Sequence, residues 1–177
     1  MPKSNDLDLT AFIRDIPDFP KPGILFRDNT PLLAAPAALR QAVDRMAEPF
    51  RDAGIDVVTA AEARGFLFAV PIALRLNAAL VPIRKPGKLP HDTISYTYDL
   101  EYGTDTLEIH ADAVTSGAKV LVVDDLLATG GTVEACCRMV EQSGGTVVGC
   151  AFLIELLGLG GVEKIQQYQT VSLIKYD

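Results

Sequence analysis

Asp124 and Asp125 stand side by side at the end of an apolar, β-branched run in VLVVDDLLATGGT (120–132), and a turn rich in threonine and glycine follows at once. Three chemistries are compatible with that spacing: an acidic metal pocket, a solvated surface loop, or a cradle for a molecule carrying both hydroxyls and phosphate. In an open parallel sheet, ligands collect beyond the carboxyl ends of the strands. The pattern puts both acids just past such an end, at a rim. The following ATGGT offers backbone N–H groups with little side chain in the way, hydroxyls from Thr129 and Thr132, and Gly131 opening a helix whose N-terminal dipole favours an anion. That suits a monophosphate. Carboxylates beside a phosphate should face a group that donates hydrogen bonds or carries positive charge. A ribose 5-phosphate does both, because its hydroxyls donate to the acids and its anomeric carbon becomes cationic as a leaving group departs.

Other acid-pair and glycine-turn architectures fit less well. A receiver-type phosphoacceptor begins its chain with such a pair, whereas here the pair lies late and the glycine-rich turn follows directly. No Gly-Lys-Ser/Thr follows the glycines as in a nucleotide P-loop, and a G-x-G-x-x-G fingerprint is absent.

The elements that must hold this turn read as an alternation. Strands are expected over 55–60, 79–83, 119–123 and 146–154, with helices over 65–76 and 131–142. Continuous Val/Ile/Leu runs separated by helices mark a parallel sheet covered on both faces, so the fold class is α/β. Between Ile83 and Lys119 two alternating stretches, 94–100 and 106–110, flank 101–105. They read as an inserted hairpin arm bending at Gly87, Pro90 and Gly103, mobile at its tip and placed to act as a lid. Nearer the start, Leu9, Phe12, Ile13 and Ile16 predict a helix over 7–16 stopped by Pro17, then a proline-pinned segment leading into a short strand. An amphipathic helix is expected over 36–50.

Composition narrows the partners. A chain of 177 residues, 49% hydrophobic, suits one domain with a sizeable core. A net charge of -7 argues against a nucleic-acid surface and requires any anionic ligand to find local cations. No run reaches the roughly 18 uncharged residues of a membrane span, and no basic-then-apolar signal opens the chain, so no membrane partner and a cytoplasmic location are expected. Cys136, Cys137 and Cys150 lack zinc-ligand spacing and read as buried thiols, while His91 and His110 are isolated and receive no role.

The 120–132 segment resembles the phosphoribosyl diphosphate motif of type I phosphoribosyltransferases. FPKPGILFRD (19–28), AEARGFLF (61–68), IRKPGKLP (83–90) and YDLEYGTDTLEIH (98–110) are similar to segments of the adenine phosphoribosyltransferases, in that family's order. The resemblance implies a single type I phosphoribosyltransferase domain over 1–177: a central, mostly parallel sheet flanked by helices, a small N-terminal base-binding hood (1–35) and a flexible catalytic arm (84–110). It implies purine salvage, with adenine and 5-phosphoribosyl 1-diphosphate giving AMP and diphosphate through an oxocarbenium-like transition state. Mg2+ would bind mainly through substrate diphosphate and water, with no protein ligand set, and the chain would form a homodimer.

The roles implied by the resemblance follow residue by residue. Asp124 and Asp125 hold the ribose hydroxyls and favour the cationic transition state, and Ala128, Thr129, Gly130, Gly131 and Thr132 wrap the 5-phosphate. Ala63 and Arg64 form the diphosphate loop after a cis peptide at Glu62–Ala63, with Arg84, Lys85 and Lys88 adding positive charge. Phe26 stacks on adenine, Leu126 closes the other face, and backbone groups of Leu25 and Arg27 read the ring edge. Glu101 manages the purine proton and Tyr102 helps exclude water. On the residues alone plainer readings stay open: Phe26 as core, Lys85 and Lys88 as a solvated loop, Glu101 as an acid that keeps a hairpin tip soluble. A 6-oxopurine or pyrimidine base would need a donor where adenine's amino group needs an acceptor. A sensor of phosphoribosyl diphosphate that binds nucleic acid would need a basic surface or added module, which the acidic total and short N-terminal extension do not supply.

Overall fold

Alternating β-branched runs and helices assemble into a five-stranded parallel sheet in a computed structural model that describes residues 6–99 and 103–177. The chain divides into two compact units, Met1–Arg45 and Met46–Asp177.

In the first unit Asp8 caps a single 3-10 turn, Leu9–Phe12, by accepting from the Thr10 N–H at 3.0 Å. The chain is already extended at Ile13. The helix expected over 7–16 is therefore corrected: Arg14–Pro17 forms strand β1, paired antiparallel with β2, Leu25–Asp28. Apolar spacing at Leu9, Phe12, Ile13 and Ile16 satisfies a helical period, but the backbone groups of 14–17 find partners in a strand eight or more residues away, and tertiary pairing overrides the local pattern. Helix α1 (Thr30–Ala34) follows, then α2 (Pro36–Ala47), opened by proline where its missing N–H costs nothing and continued by a 3-10 turn, Glu48–Phe50.

The second unit holds the sheet. Strands β3 (Val57–Ala61), β4 (Ala79–Ile83), β7 (Lys119–Leu127), β8 (Thr146–Leu156) and β9 (Gln169–Tyr176) lie in the order β4-β3-β7-β8-β9, all parallel. Helix α3 (Gly65–Leu76) rests on β3, β4 and β7, and α4 (Gly131–Gln142) on β3, β7 and β8. Interior strand β3 is buried along its whole length, which explains why its sequence, VVTAA, does not alternate, and its one polar residue, Thr59, donates its hydroxyl to the Val81 carbonyl at 2.7 Å. The third cysteine, Cys150, enters the core from β8 beside Cys136 and Cys137 of α4. The local pattern does not announce strand β9, because 157–168 carries two 3-10 turns where a crossover helix would ordinarily precede the next parallel strand.

The hairpin pairs β5 (Thr93–Asp99) with β6 (Thr104–His110), from Thr93 opposite His110 to Asp99 opposite Thr104. Leu107 and Ile109 of β6 are buried in the sheet's core cluster, and reciprocal backbone bonds between Arg84 and Glu108 tie the arm's base to the exit of β4. Glu101 and Tyr102 lie outside the described residues.

Candidate active site

Strand β7 runs four residues beyond the expected end at Val123, and this changes how the acids are held. Asp124 and Asp125 are not past the strand; they lie within it, Asp124 opposite Phe152 of β8. Neighbouring strand residues point to opposite faces. The two carboxylates nevertheless interact with one another and line the same cavity. Asp125 is only 4% exposed, and its Oδ2 meets Arg64 Nε at 3.0 Å. Asp124 Oδ1 accepts the Asp125 N–H at 2.8 Å. Burial, and then the neighbouring negative charge of Asp125, push the Asp124 carboxyl well above its ordinary value, while that N–H and Arg64 pull the other way. One acid is matched by a cation in place, and the other is poised for a ligand that supplies donors or positive charge.

After β7 the chain turns through 128–130 into α4. Gly130 caps the helix in the left-handed region, φ 80°, which a side chain disfavours. A Cβ there would also stand 2.5 Å from the Gly161 carbonyl oxygen. The first turn of this 12-residue helix presents backbone N–H groups without intrahelical partners, the usual basis of anion binding at a helix start. Arg64, Asp124, Asp125, Leu126, Ala128, Thr129, Gly130, Gly131 and Thr132 thus line one cavity of about 210 Å³.

The loop between β3 and α3 supplies a second corner. The Glu62–Ala63 peptide is cis, and the Glu62 carboxylate accepts from the Lys85 N–H at 2.6 Å and from Arg84 Nη2 at 2.9 Å. Those bonds, the Lys85 amide first, hold Glu62 below the usual carboxylate range. Lys85 Nζ reaches Asp105 Oδ2 at 3.0 Å, and exposed Lys88 adds its positive field at Glu62. Cationic side chains therefore cluster at the start of α3 and the end of β4, with Arg64, Arg84 and Lys85 each beside a carboxylate.

Leu25, Phe26 and Arg27 lie on β2 of the first unit. Phe26 is half-buried and meets Phe19 edge to face, centroids 5.1 Å apart, and Arg27 pairs with Asp15. Glu62, Asp105 and Gly161 brace this region in ways the expected roles above do not include. Glu62 and Asp105 act across 20 or more residues, which no local pattern reveals, whereas the Gly160–Gly161 pair was a visible hint of close backbone approach.

Residues 29–174 match the phosphoribosyl transferase domain family. The chain is 60% identical over 170 residues to an adenine phosphoribosyltransferase of Rhodopirellula baltica, covering 96% of this chain and 82% of that protein. It is 51% identical to the solved adenine phosphoribosyltransferase of Thermoanaerobacter pseudethanolicus, with a TM-score of 0.92 over 95% of this chain and 98% of that one. A Saccharomyces cerevisiae adenine phosphoribosyltransferase, solved with an imino-altritol bisphosphate and adenine, is 37% identical with a TM-score of 0.88, covering 93% and 96% of the two chains. The parallel sheet flanked by helices is thus that of a known fold, and the chain belongs to the phosphoribosyl transferase domain family, among its adenine phosphoribosyltransferases.

Proposed function

We propose that the chain transfers the phosphoribosyl group of 5-phosphoribosyl 1-diphosphate to N9 of adenine, releasing AMP and diphosphate. The observation that carries this reading is the convergence of Arg64, Asp124, Asp125 and the 128–132 turn on one cavity. That set answers a phosphate, vicinal hydroxyls and an anionic leaving group together. The anomeric C–O bond to diphosphate breaks, the C–N9 bond forms, and N9 gives up a proton. Asp124 and Asp125 hold the ribose hydroxyls and favour the cationic character that builds between the two events. Backbone N–H groups of 128–132, with the Thr129 and Thr132 hydroxyls, hold the 5-phosphate.

Arg64, Arg84, Lys85 and Lys88 receive the diphosphate. Magnesium fits this donor set as a passenger of the substrate, since Asp125 is already engaged by Arg64. When bound through diphosphate oxygens and water it would lower the charge of the leaving group. In the first unit Phe26 offers a face for the purine, and the backbone of Leu25 and Arg27 reads its edge. Glu101, outside the described residues, takes the role of proton acceptor and Tyr102 that of water exclusion. In this reading 1–35 is the hood and 84–110 the arm of a single catalytic domain in the cytoplasm; no helix among the described residues is long and apolar enough to cross a membrane.

A homodimer belongs to the same reading. Leu67, Val70 and Leu74 on α3 are 50%, 44% and 79% exposed and share one helical stripe just beyond Arg64, a surface suited to a second copy. Leu74→Glu should yield monomers by light scattering.

The test is a steady-state assay with phosphoribosyl diphosphate, magnesium and each of adenine, hypoxanthine, guanine, xanthine and uracil. Turnover confined to adenine is expected, and failure to use adenine would sink the proposal.

A further inference from the structure

Lys85, Pro86, Gly87 and Lys88 form the bend between β4 and the arm, and two of the four are cations assigned above to the diphosphate. Proline followed by glycine, with Gly87 in the left-handed region at φ 74°, is the pairing that a tight turn favours. Pro86 has no N–H, so the Gly87 amide is the donor at the bend. It donates to Glu108 Oε2 at 3.0 Å.

Glu108 is a firm anchor for that bond. It sits on β6 between buried Leu107 and Ile109 and exchanges two backbone bonds with Arg84, at 2.9 and 2.7 Å. Its other oxygen, Oε1, accepts from Ser95 Oγ of β5 at 3.3 Å. One carboxylate thus joins both strands of the arm to the bend. The two lysines depend on it unequally. Lys85 has anchors of its own, its N–H on Glu62 Oε1 at 2.6 Å and its Nζ on Asp105 Oδ2 at 3.0 Å. Exposed Lys88, next after Gly87, takes its place from the bend.

We propose that Glu108 is a positioning residue for the diphosphate: by holding the Gly87 amide it fixes the bend, and with it the direction in which Lys88 reaches the leaving group. The inference rests on the phosphoribosyl diphosphate reading of the site. A bend released from Glu108 samples other conformations, and affinity then falls with the fraction of molecules that keep Lys88 in place. Charge acts the other way, because losing a carboxylate near an anionic ligand strengthens binding. Two neutral variants compared with each other isolate the anchor from the charge.

Glu108→Gln and Glu108→Ala both lose the charge, but only glutamine keeps an oxygen that can accept from Gly87. In calorimetric titrations with phosphoribosyl diphosphate and magnesium, no base present, Glu108→Ala should bind about two- to tenfold more weakly than Glu108→Gln, the span of one ordinary hydrogen bond. In a Lys88→Met background that gap should vanish. AMP carries the 5-phosphate and no diphosphate, so both variants should bind it alike, which also shows that both are folded. Equal phosphoribosyl diphosphate affinities for the two variants would overturn the anchor. A gap undiminished in Lys88→Met, or equally large with AMP, would make Glu108 a general support of the arm and end its link to Lys88. Wild-type protein that binds neither ligand would instead overturn the phosphoribosyl reading itself.

Discussion

Gly161 is the position where one added carbon should do most damage at no cost in conformational preference. An alanine Cβ there would sit 2.2 Å from the Ala128 carbonyl oxygen and 2.9 Å from the Gly130 nitrogen. Both are backbone atoms of the turn proposed to hold the 5-phosphate, so neither can swing aside as a side chain would. The turn must retreat by the better part of an ångström. Overpacking of this kind costs about 1–3 kcal/mol, and at about 2–4 °C per kcal/mol for a chain of this size the melting temperature should fall by roughly 2–12 °C. Displacing amides that position a reacting substrate by that distance can cost up to about 100-fold in rate. Gly161→Ala should therefore raise KM for phosphoribosyl diphosphate and lower kcat/KM by more than its stability loss explains. Gly158→Ala is the control, since a Cβ there meets nothing within 4 Å. Differential scanning calorimetry and initial rates on both variants decide the matter. Gly161→Ala with wild-type melting and kinetics, or Gly158→Ala equally impaired, would refute the steric argument.

Asp124→Asn should lower turnover yet stabilise the protein at neutral pH. Because the folded state raises the Asp124 pKa, the stability linked to this group is complete below the unfolded value of 3.8 and is lost as pH rises through the folded one. Asparagine is neutral throughout, so urea denaturation at several pH values should show its advantage over the wild type growing as pH increases from that point. A constant or shrinking difference would contradict the shift. Cys136, Cys137 and Cys150 are all buried, with Cys137 and Cys150 sulfurs 3.8 Å apart. Burial holds the Cys136 thiol up, and the bond with Cys137, then burial, does so for Cys150. An aromatic disulfide reagent at pH 8 should label none of the three until denaturant is added, and rapid native labelling would show an opening absent from this packing.

Much of the molecule could be read along the chain because it rests on short-range rules. The bounds of α3, β4 and α4 coincide with the apolar runs and glycine or asparagine punctuation that predict them. The strand, glycine turn and helix of 119–142 carry their chemistry in adjacent residues, so the turn proposed to cradle a phosphate is visible before folding. The failures share one feature, a partner distant in sequence. Arg14–Pro17 became a strand because Leu25–Asp28 was available to pair with it, and β7 ran on to Leu127 because β8 supplied Ile154 and Glu155 beyond the point where local hydrophobicity stops. Asp124 and Asp125 were legible as a pair of acids, but the matching of Asp125 by Arg64 and the raised pKa of Asp124 follow from sheet geometry and burial. Glu62 between Arg84 and Lys85, Asp105 under Tyr98 and Gly161 against Gly130 likewise exist only once the chain has closed on itself. Composition and spacing choose which groups are present and which local shapes they favour; distances and charges between far-separated residues depend on contacts that folding alone creates.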